Sequence, residues 1–118
     1  MAAHSATTTA GAAARGRRAD RIVADPIPGR VAAPSGTGSY LLWRAPGQAI
    51  TVDGRFENYR PSELRAAYDM LDGRRNDLIG RWNIQAVITR NPAGTDRLSR
   101  AGFRVRTASE DGYLLIRR

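Results

Sequence analysis

The amino-acid sequence predicts an α/β fold: a small α/β sandwich with a mainly parallel sheet of four or five strands and an antiparallel hairpin at the C-terminal end. The first observation is that β-branched apolar segments alternate along the chain with segments of helical periodicity. The second is that Gly- and Pro-containing turns separate these segments. The third is the length of 118 residues, which suits one domain with a real core. We therefore expect the order strand, helix, strand, helix, helix, strand, helix, strand, strand.

Residues 1–21 are expected to form a disordered basic tail that precedes a single α/β domain at residues 22–118. After Met1 this segment is rich in Ala, Thr and Gly, lacks large apolar side chains and ends in a cluster of arginines. It therefore buries too little apolar surface to offset the entropy cost of ordering. It also lacks the apolar core of a secretory signal peptide.

The first strand and the first helix are predicted on either side of a Gly/Ser-rich segment. Residues 30–33 favour a strand, and residues 40–43 favour a short apolar helix that packs on the sheet. Residues 34–39 lie where a phosphate-binding loop would lie. They lack the Gly-Lys-Ser/Thr of a P-loop and the third glycine of the dinucleotide fingerprint, so we expect a tight turn here.

The stretch of residues 49–61 is expected to hold the central strand and the candidate site. Ile50 and Val52 alternate with smaller residues, as in a short buried strand, and Gly54 allows the chain to turn at its end. Ligands of open α/β sheets bind just beyond the carboxyl ends of strands. Asp53 and Arg55 occupy that place, so we predict them as binding residues. An ordinary ion pair between them at a turn explains the same pattern.

The following helix has clear start and stop signals. Pro61 suits the first helical position, and Gly73 suits the first residue after the helix. Asn76 is expected to cap a second, shorter helix. Apolar residues at helical spacing predict one buried stripe, which consists of Leu64, Ala67, Tyr68 and Leu71.

The C-terminal third is expected to complete the sheet. The sequence Glu110-Asp111-Gly112 is typical of a β-hairpin turn, so the last two strands should be antiparallel neighbours. The predicted segments are a strand at 83–89, a loop at 91–94, a helix at 96–101 capped by Thr95, and strands at 103–107 and 113–116.

The composition limits the chemistry that the chain can perform. The sequence has no Cys and a single His, His4, which lies in the predicted tail. We therefore expect no metal site, no cofactor and no catalytic residue, since thiolate and imidazole groups are the usual ligands and acid–base groups.

The charge of the chain favours anionic partners. The formal net charge is +8, and all 19 basic residues are arginines. They are scattered over every predicted element, whereas a nucleic-acid-binding module usually combines a basic stripe with exposed aromatic rings. Nucleic acid is therefore not the favoured partner, because we expect the aromatic residues in the core: Trp43, Phe56, Tyr59, Tyr68, Trp82 and Phe103.

Several segments occur in an order that resembles a known bacterial module. The pattern is similar to the C-terminal soluble domain of polytopic membrane proteins of the GT-C glycosyltransferase type, relatives of the dolichyl-phosphate-mannose-protein mannosyltransferases. The resemblance covers the chain from about residue 22 to residue 118. It departs from the group at residues 82–85, where Trp-Asn-Ile-Gln stands in place of Tyr-Gly-Val-Asp. The transmembrane helices and the acidic catalytic residue of the group are absent from these 118 residues. The matching segments are residues 38–43, 50–55 with Tyr59, 81–88, Leu98 with Gly102-Phe103, and Asp111 with 113–118.

The resemblance implies a non-catalytic, extracytoplasmic domain beside a membrane-embedded partner or a lost upstream transmembrane region. Its role would be packing on the membrane part or contact with the acceptor, and it adds Tyr59 to Asp53 and Arg55 as the binding site. The implied ligand is a glycan or a polyprenyl phosphate. Two alternatives stay open: a free-standing cytosolic α/β domain that binds a ligand or a protein, and a basic nucleic-acid-binding protein.

Overall fold

The described part of the chain forms a five-stranded sheet in the order β2-β1-β3-β5-β4, flanked by helices. A computed structural model describes residues 19–51, 59–109 and 112–118. Of these, residues 19–24 are helical and are called α1. The other elements are β1 (Arg30–Ala32), α2 (Ser35–Arg44), β2 (Ala49–Ile50), α3 (Pro61–Leu71), α4 (Asp77–Arg81), β3 (Ile84–Thr89), α5 (Pro92–Arg100), β4 (Phe103–Ser109) and β5 (Gly112–Arg117).

The sheet is parallel at one end and antiparallel at the other, which confirms the predicted fold class. β1 pairs in parallel with both β2 and β3. β5 pairs antiparallel with β3 on one side and with β4 on the other, so β4 and β5 form the predicted C-terminal hairpin. The predicted element order from the first strand to the last is also confirmed.

Helices cover both faces of the sheet. Neighbouring residues of a strand point to opposite faces, so the apolar strands give each face a cluster of buried side chains. Val31 and Ile88 belong to the cluster under α1 and α2, whereas Ala32 and Val87 belong to the cluster under α3, α4 and α5. The first cluster comprises Ala19, Ile22, Val31, Ala33, Leu41, Ala86, Ile88 and Leu114. The second comprises Ala32, Met70, Leu71, Leu78, Ile79, Ile84, Val87, Leu98, Phe103 and Leu115.

The strand predicted as central does not take the centre of the described sheet. β2 has only two residues, lies at one end of the described sheet, and exposes Ala49. The middle strand is β3, which lies between β1 and β5, and five of its six residues are buried. Residues 52–58, which include Asp53, Arg55 and Phe56, lie outside the described residues.

Two predicted loops are the first turns of helices. α2 begins at Ser35 and contains Gly36 and Gly38, so the expected tight turn at 34–39 is wrong. α5 begins at Pro92, and the Asn91 side chain caps it by accepting a hydrogen bond from the Ala93 N–H at 3.1 Å. In both cases Pro precedes or opens the helix, since it lacks the N–H that a first turn leaves unpaired.

The helix α3 confirms its predicted start and stop signals. Pro61 is its first residue, and Gly73 has φ +73° just after its end. The N–H of Gly73 bonds to the Met70 carbonyl at 3.0 Å and the N–H of Arg74 to the Asp69 carbonyl at 2.9 Å, which is the Schellman pattern.

Burial differs from the prediction at two aromatic residues. Trp43 is 74% exposed and Tyr68 is 38% exposed, whereas Phe103 is fully buried and Trp82 packs half-buried against the second cluster. Trp43 follows Leu41 by two residues, so it faces away from the sheet while Leu41 faces it. Of the stripe predicted on α3, Ala67 and Leu71 are buried and Leu64 is half-buried, whereas Tyr68 is exposed and Met70 is buried in addition.

Candidate functional site

A cleft of about 440 Å³ opens at the carboxyl ends of β1 and β3. Its walls come from three segments: residues 34–37 after β1, the end of α3, and residues 89–91 after β3. The volume lies within the range of small-molecule sites. The lining residues are Pro34, Gly36, Thr37, Tyr68, Leu71, Asp72, Thr89, Arg90 and Asn91.

The topology of the sheet explains why a cleft forms at this place. From β1 the chain crosses one face through α2 to reach β2, and it then crosses the other face through α3 and α4 to reach β3 on the opposite side of β1. The connections therefore diverge between β1 and β3. This divergence is the topological switch point at which open α/β sheets bind their ligands.

One wall of the cleft is a polar network that ties the end of α3 to the start of α5. Asn91 Nδ2 donates to Asp72 Oδ1 at 3.1 Å, and Arg97 Nη1 donates to the Asp72 carbonyl at 2.9 Å. The buried Thr89 hydroxyl accepts from the Asn91 N–H at 3.3 Å. The Asp72 carboxylate and the Asn91 side chain are therefore held in place at the cleft surface without being fully buried.

The rest of the cleft lining includes a helix start, an aromatic ring and a cation. The first turn of α2, which contains Gly36 and Thr37, carries no acidic residue, and no side chain of the described residues caps it. Its first N–H groups lack partners within the helix, so this end carries partial positive charge. Tyr68 is partly exposed, and Arg90 is exposed at the rim.

The structure places the predicted site residue Tyr59 away from this cleft. Tyr59 lines a smaller cavity of about 290 Å³ together with Arg30, Glu63 and Trp82. Arg30 begins β1 and Trp82 precedes β3, whereas Ile50 and Thr51 lie at the end of β2. This cavity therefore lies toward the amino ends of β1 and β3 and beside the end of β2. The other two predicted site residues, Asp53 and Arg55, lie outside the described residues.

The smaller cavity has one unusual polar atom. The Thr51 hydroxyl oxygen is buried there and has no hydrogen-bond partner among the described residues. At the entrance, Glu63 Oε1 accepts a hydrogen bond from the Arg60 N–H at 3.0 Å, which helps to begin α3.

A third surface feature is a cluster of aromatic and charged groups on α2. The Arg44 guanidinium lies 5.8 Å from the Tyr40 ring centre and 5.7 Å from the Trp43 ring centre. The Tyr40 hydroxyl donates to Asp20 Oδ1 at 2.8 Å and accepts from Arg44 Nη1 at 3.1 Å. The hydrogen bond to the Asp20 carboxylate raises the pKa of the Tyr40 phenol, because it stabilises the protonated form.

Sequence reasoning missed the cleft because its residues are distant along the chain. Pro34, Asp72 and Asn91 meet only through the crossover topology. The usable signals were present in part: a Pro after a strand, Asp-Gly at a helix end, and Asn-Pro after a strand all mark helix termini. Together with a correct strand order, they would have pointed to this edge of the sheet.

The chemistry available in the cleft is hydrogen bonding, ring stacking and anion attraction. Among the described residues, no group of three or more His, Cys, Asp or Glu side chains is placed to hold a metal ion. No helix within the described ranges is long and apolar enough to cross a bilayer.

No protein-family model, curated protein or solved structure matches this chain significantly. The fold and the cleft define a doubly wound α/β domain with a ligand-sized crevice at its switch point.

Proposed function

We propose that this chain is a non-catalytic binding domain that holds a sugar phosphate in the cleft at the carboxyl ends of β1 and β3. The observation that carries this proposal is the position of the cleft at the topological switch point of the sheet. Its two sides differ in chemistry. One suits the hydroxyl groups of a sugar, and the other suits an anionic group.

The hydroxyl-binding side is formed by Asp72, Asn91 and Tyr68. Sugar hydroxyls are both donors and acceptors, and a carboxylate beside a side-chain amide supplies partners for both roles. The hydrogen bond from Asn91 Nδ2 to Asp72 Oδ1, at 3.1 Å, places the two polar groups side by side. A tyrosine ring at the wall offers a flat apolar surface to the C–H face of a sugar ring.

The anion-binding side is formed by the start of α2 and by Arg90. A helix N-terminus without an acidic residue attracts phosphate through its N–H groups and its dipole. Arg90 adds a full charge with a planar donor array that matches phosphate oxygens. The net charge of +8 adds a long-range attraction for anions.

The resemblance described above gives this binding role a biological setting. It supports an extracytoplasmic domain that sits beside a membrane-embedded glycosyltransferase-type partner and contacts a glycan or a lipid-linked sugar phosphate. The polar and aromatic lining of the cleft is consistent with such a ligand in its chemistry.

The test is a titration of the purified chain, followed by backbone-amide NMR shifts and by calorimetry. The probes are a hexose 1-phosphate, a nucleotide sugar, a water-soluble short-chain polyprenyl-phosphate sugar, the free hexose, inorganic phosphate and a short single-stranded DNA. We expect the sugar phosphates to bind more tightly than either the free hexose or phosphate alone. The shifted amides should be those of residues 35–38 and 89–91.

Variants decide whether the cleft is the site. Tyr68→Ala and Arg90→Ala should each weaken sugar-phosphate binding roughly tenfold, because each removes one contact that contributes about 1.4 kcal/mol. Arg65→Ala is the matched control: Arg65 is also exposed, but it does not line the cleft. Equal effects of Arg90→Ala and Arg65→Ala, or shifts located around Tyr59 instead, would contradict this site.

A further inference from the structure

The side of the sheet at which β1 and β3 begin lies opposite the cleft and is rich in exposed arginines. We call this side the amino edge. Since β4 runs parallel to β3, Arg104 near its start lies at the amino end of the sheet. β5 runs the other way, so Arg117 and Arg118 reach the same edge. Phe103 pairs with Arg117, and the Arg118 N–H bonds to the Gly102 carbonyl at 2.9 Å. All three arginine side chains are exposed.

Helix ends add three more arginines to this edge. α2 and α5 leave from the carboxyl ends of β1 and β3, so their last residues, Arg44 and Arg100, return to the amino edge. Arg81 ends α4 just before β3 begins. All three are exposed. We call these six arginines (Arg44, Arg81, Arg100, Arg104, Arg117 and Arg118) the basic edge.

Acidic residues offset only part of this charge. Asp20 lies 4.0 Å from Arg44, and Glu63 lies in the cavity that opens on this side. Five strands spaced about 4.8 Å apart give the edge a length of roughly 19 Å. The positive charge is therefore spread along one side of the sheet and is not confined to a pocket.

An exposed apolar tip stands at one end of the basic edge. Leu42 is 37% exposed and Trp43 is 74% exposed, and the next turn exposes Pro46. The turn belongs to this edge because Ala49, which follows it, pairs with Arg30 at the start of β1. Arg44 stacks on the Trp43 ring, so the ring is held in an outward position beside a cation.

We infer that the basic edge docks on an anionic lipid bilayer, with Trp43 and Leu42 inserted at the level of the headgroups. Tryptophan beside arginine suits this interface, because the indole is amphipathic and the guanidinium pairs with lipid phosphates. Leu42 and Pro46 favour lipid over a nucleic-acid strand. Strand binding uses a series of exposed rings as stacking platforms, and aliphatic groups add nothing to base stacking. This inference does not rest on the sugar-phosphate proposal.

The experiment measures binding of the full chain to vesicles of phosphatidylcholine, with and without phosphatidylglycerol. Binding is followed by co-sedimentation and by tryptophan emission. We expect binding only to the anionic vesicles, a blue shift of the emission, and weakening by salt. The chain has two tryptophans, and Trp82 packs against the core, so Trp43→Phe should abolish the blue shift.

Two variants that remove the same charge distinguish binding by the basic edge from attraction by the net charge of the chain. Arg117→Ala/Arg118→Ala should weaken vesicle binding roughly 25-fold, because each arginine at an anionic surface contributes about a factor of five. Arg65→Ala/Arg74→Ala removes the same charge from exposed positions on and just after α3, and should change binding much less. Thermal melts check that all variants fold.

Three outcomes would overturn the inference. The first is equal binding to neutral and anionic vesicles, or none to either. The second is an equal loss in the two double-arginine variants, which would indicate net charge without a defined surface. The third is that a short single-stranded DNA competes fully with vesicles and quenches Trp43 emission without a blue shift, which would assign the edge to nucleic acid.

Discussion

Replacing Gly73 with alanine should destabilise the joint between α3 and α5, which forms one wall of the cleft. Gly73 has φ +73°, a left-handed conformation that costs a residue with a side chain about 1–2 kcal/mol. A Cβ atom at this position would lie 2.5 Å from the Arg97 Cβ and 3.3 Å from the Gly94 carbonyl oxygen. The first contact cannot be relieved by a rotamer change, because a Cβ moves only with its backbone.

The magnitude follows from these two effects. Separation of α3 from α5 would weaken the hydrogen bond from Arg97 Nη1 to the Asp72 carbonyl, which is 2.9 Å long and worth about 1.5–3 kcal/mol as a charge-assisted bond. With partial loss of that bond added to the backbone strain, we expect Gly73→Ala to lower the free energy of unfolding by about 2–4 kcal/mol.

Urea denaturation, followed by circular dichroism, measures this change. Gly80→Ala is the matched control, because a Cβ at Gly80 would meet no atom within 4 Å and Gly80 lies in α4. That variant should be unchanged or more stable by about 0.5–1 kcal/mol, since alanine loses less backbone entropy in a helix. If Gly73→Ala lowered stability by less than about 0.5 kcal/mol, the helix end and its contact with α5 would be wrongly described.

Two further predictions concern the core and the pH dependence of stability. Leu71→Ala should cost about 2–5 kcal/mol in the same urea experiment, because Leu71 is 5% exposed within the larger buried cluster, and a cost below about 0.5 kcal/mol would contradict that packing. The hydrogen bonds from Arg75 to Asp77, at 2.9 and 3.0 Å, lower the pKa of the Asp77 carboxyl below its usual 3.8. The contribution of this carboxylate to stability is therefore present above pH 3.8 and is lost as the pH falls through the lower, folded-state pKa. Both Asp77→Asn and Arg75→Ala should flatten the dependence of the melting temperature on pH in this acid range. An unchanged acid limb in both variants would mean that the pair does not persist in solution.

The fold could be predicted from the sequence because its signals are local. The stop signal at Gly73, the buried apolar run of β3 and the C-terminal hairpin each depend on a few adjacent residues. The prediction failed where local and tertiary signals differ. Glycines at 36 and 38 indicate a turn by propensity, but α2 begins earlier because Pro34 supplies its start and α2 packs Leu41 on the sheet.

The candidate site was harder to predict than the fold. A search along the sequence favours adjacent residues such as Asp53 and Arg55, whereas the cleft joins Asp72 to Asn91 across 19 positions. Their contact depends on β1 and β3 being neighbours, which no local pattern reveals. The basic edge could not be predicted for the same reason. Its six arginines are scattered along the sequence, and only the strand directions show that they lie on one side.

The two proposed surfaces constrain each other through the geometry of the sheet. The cleft lies at the carboxyl ends of β1 and β3, and the basic edge lies at their amino ends. The six residues of β3 separate the two by about 20 Å. A domain docked on a bilayer by its basic edge would therefore present the cleft away from the lipid. In that orientation the cleft can bind a soluble sugar phosphate or the distal part of a long glycan, whereas the lipid-linked sugar phosphate named above can reach it only when the basic edge is not docked. Competition distinguishes these cases: vesicle-bound chain should still bind a soluble hexose 1-phosphate with unchanged affinity, whereas loss of that affinity on anionic vesicles would mean that one of the two surfaces is misassigned.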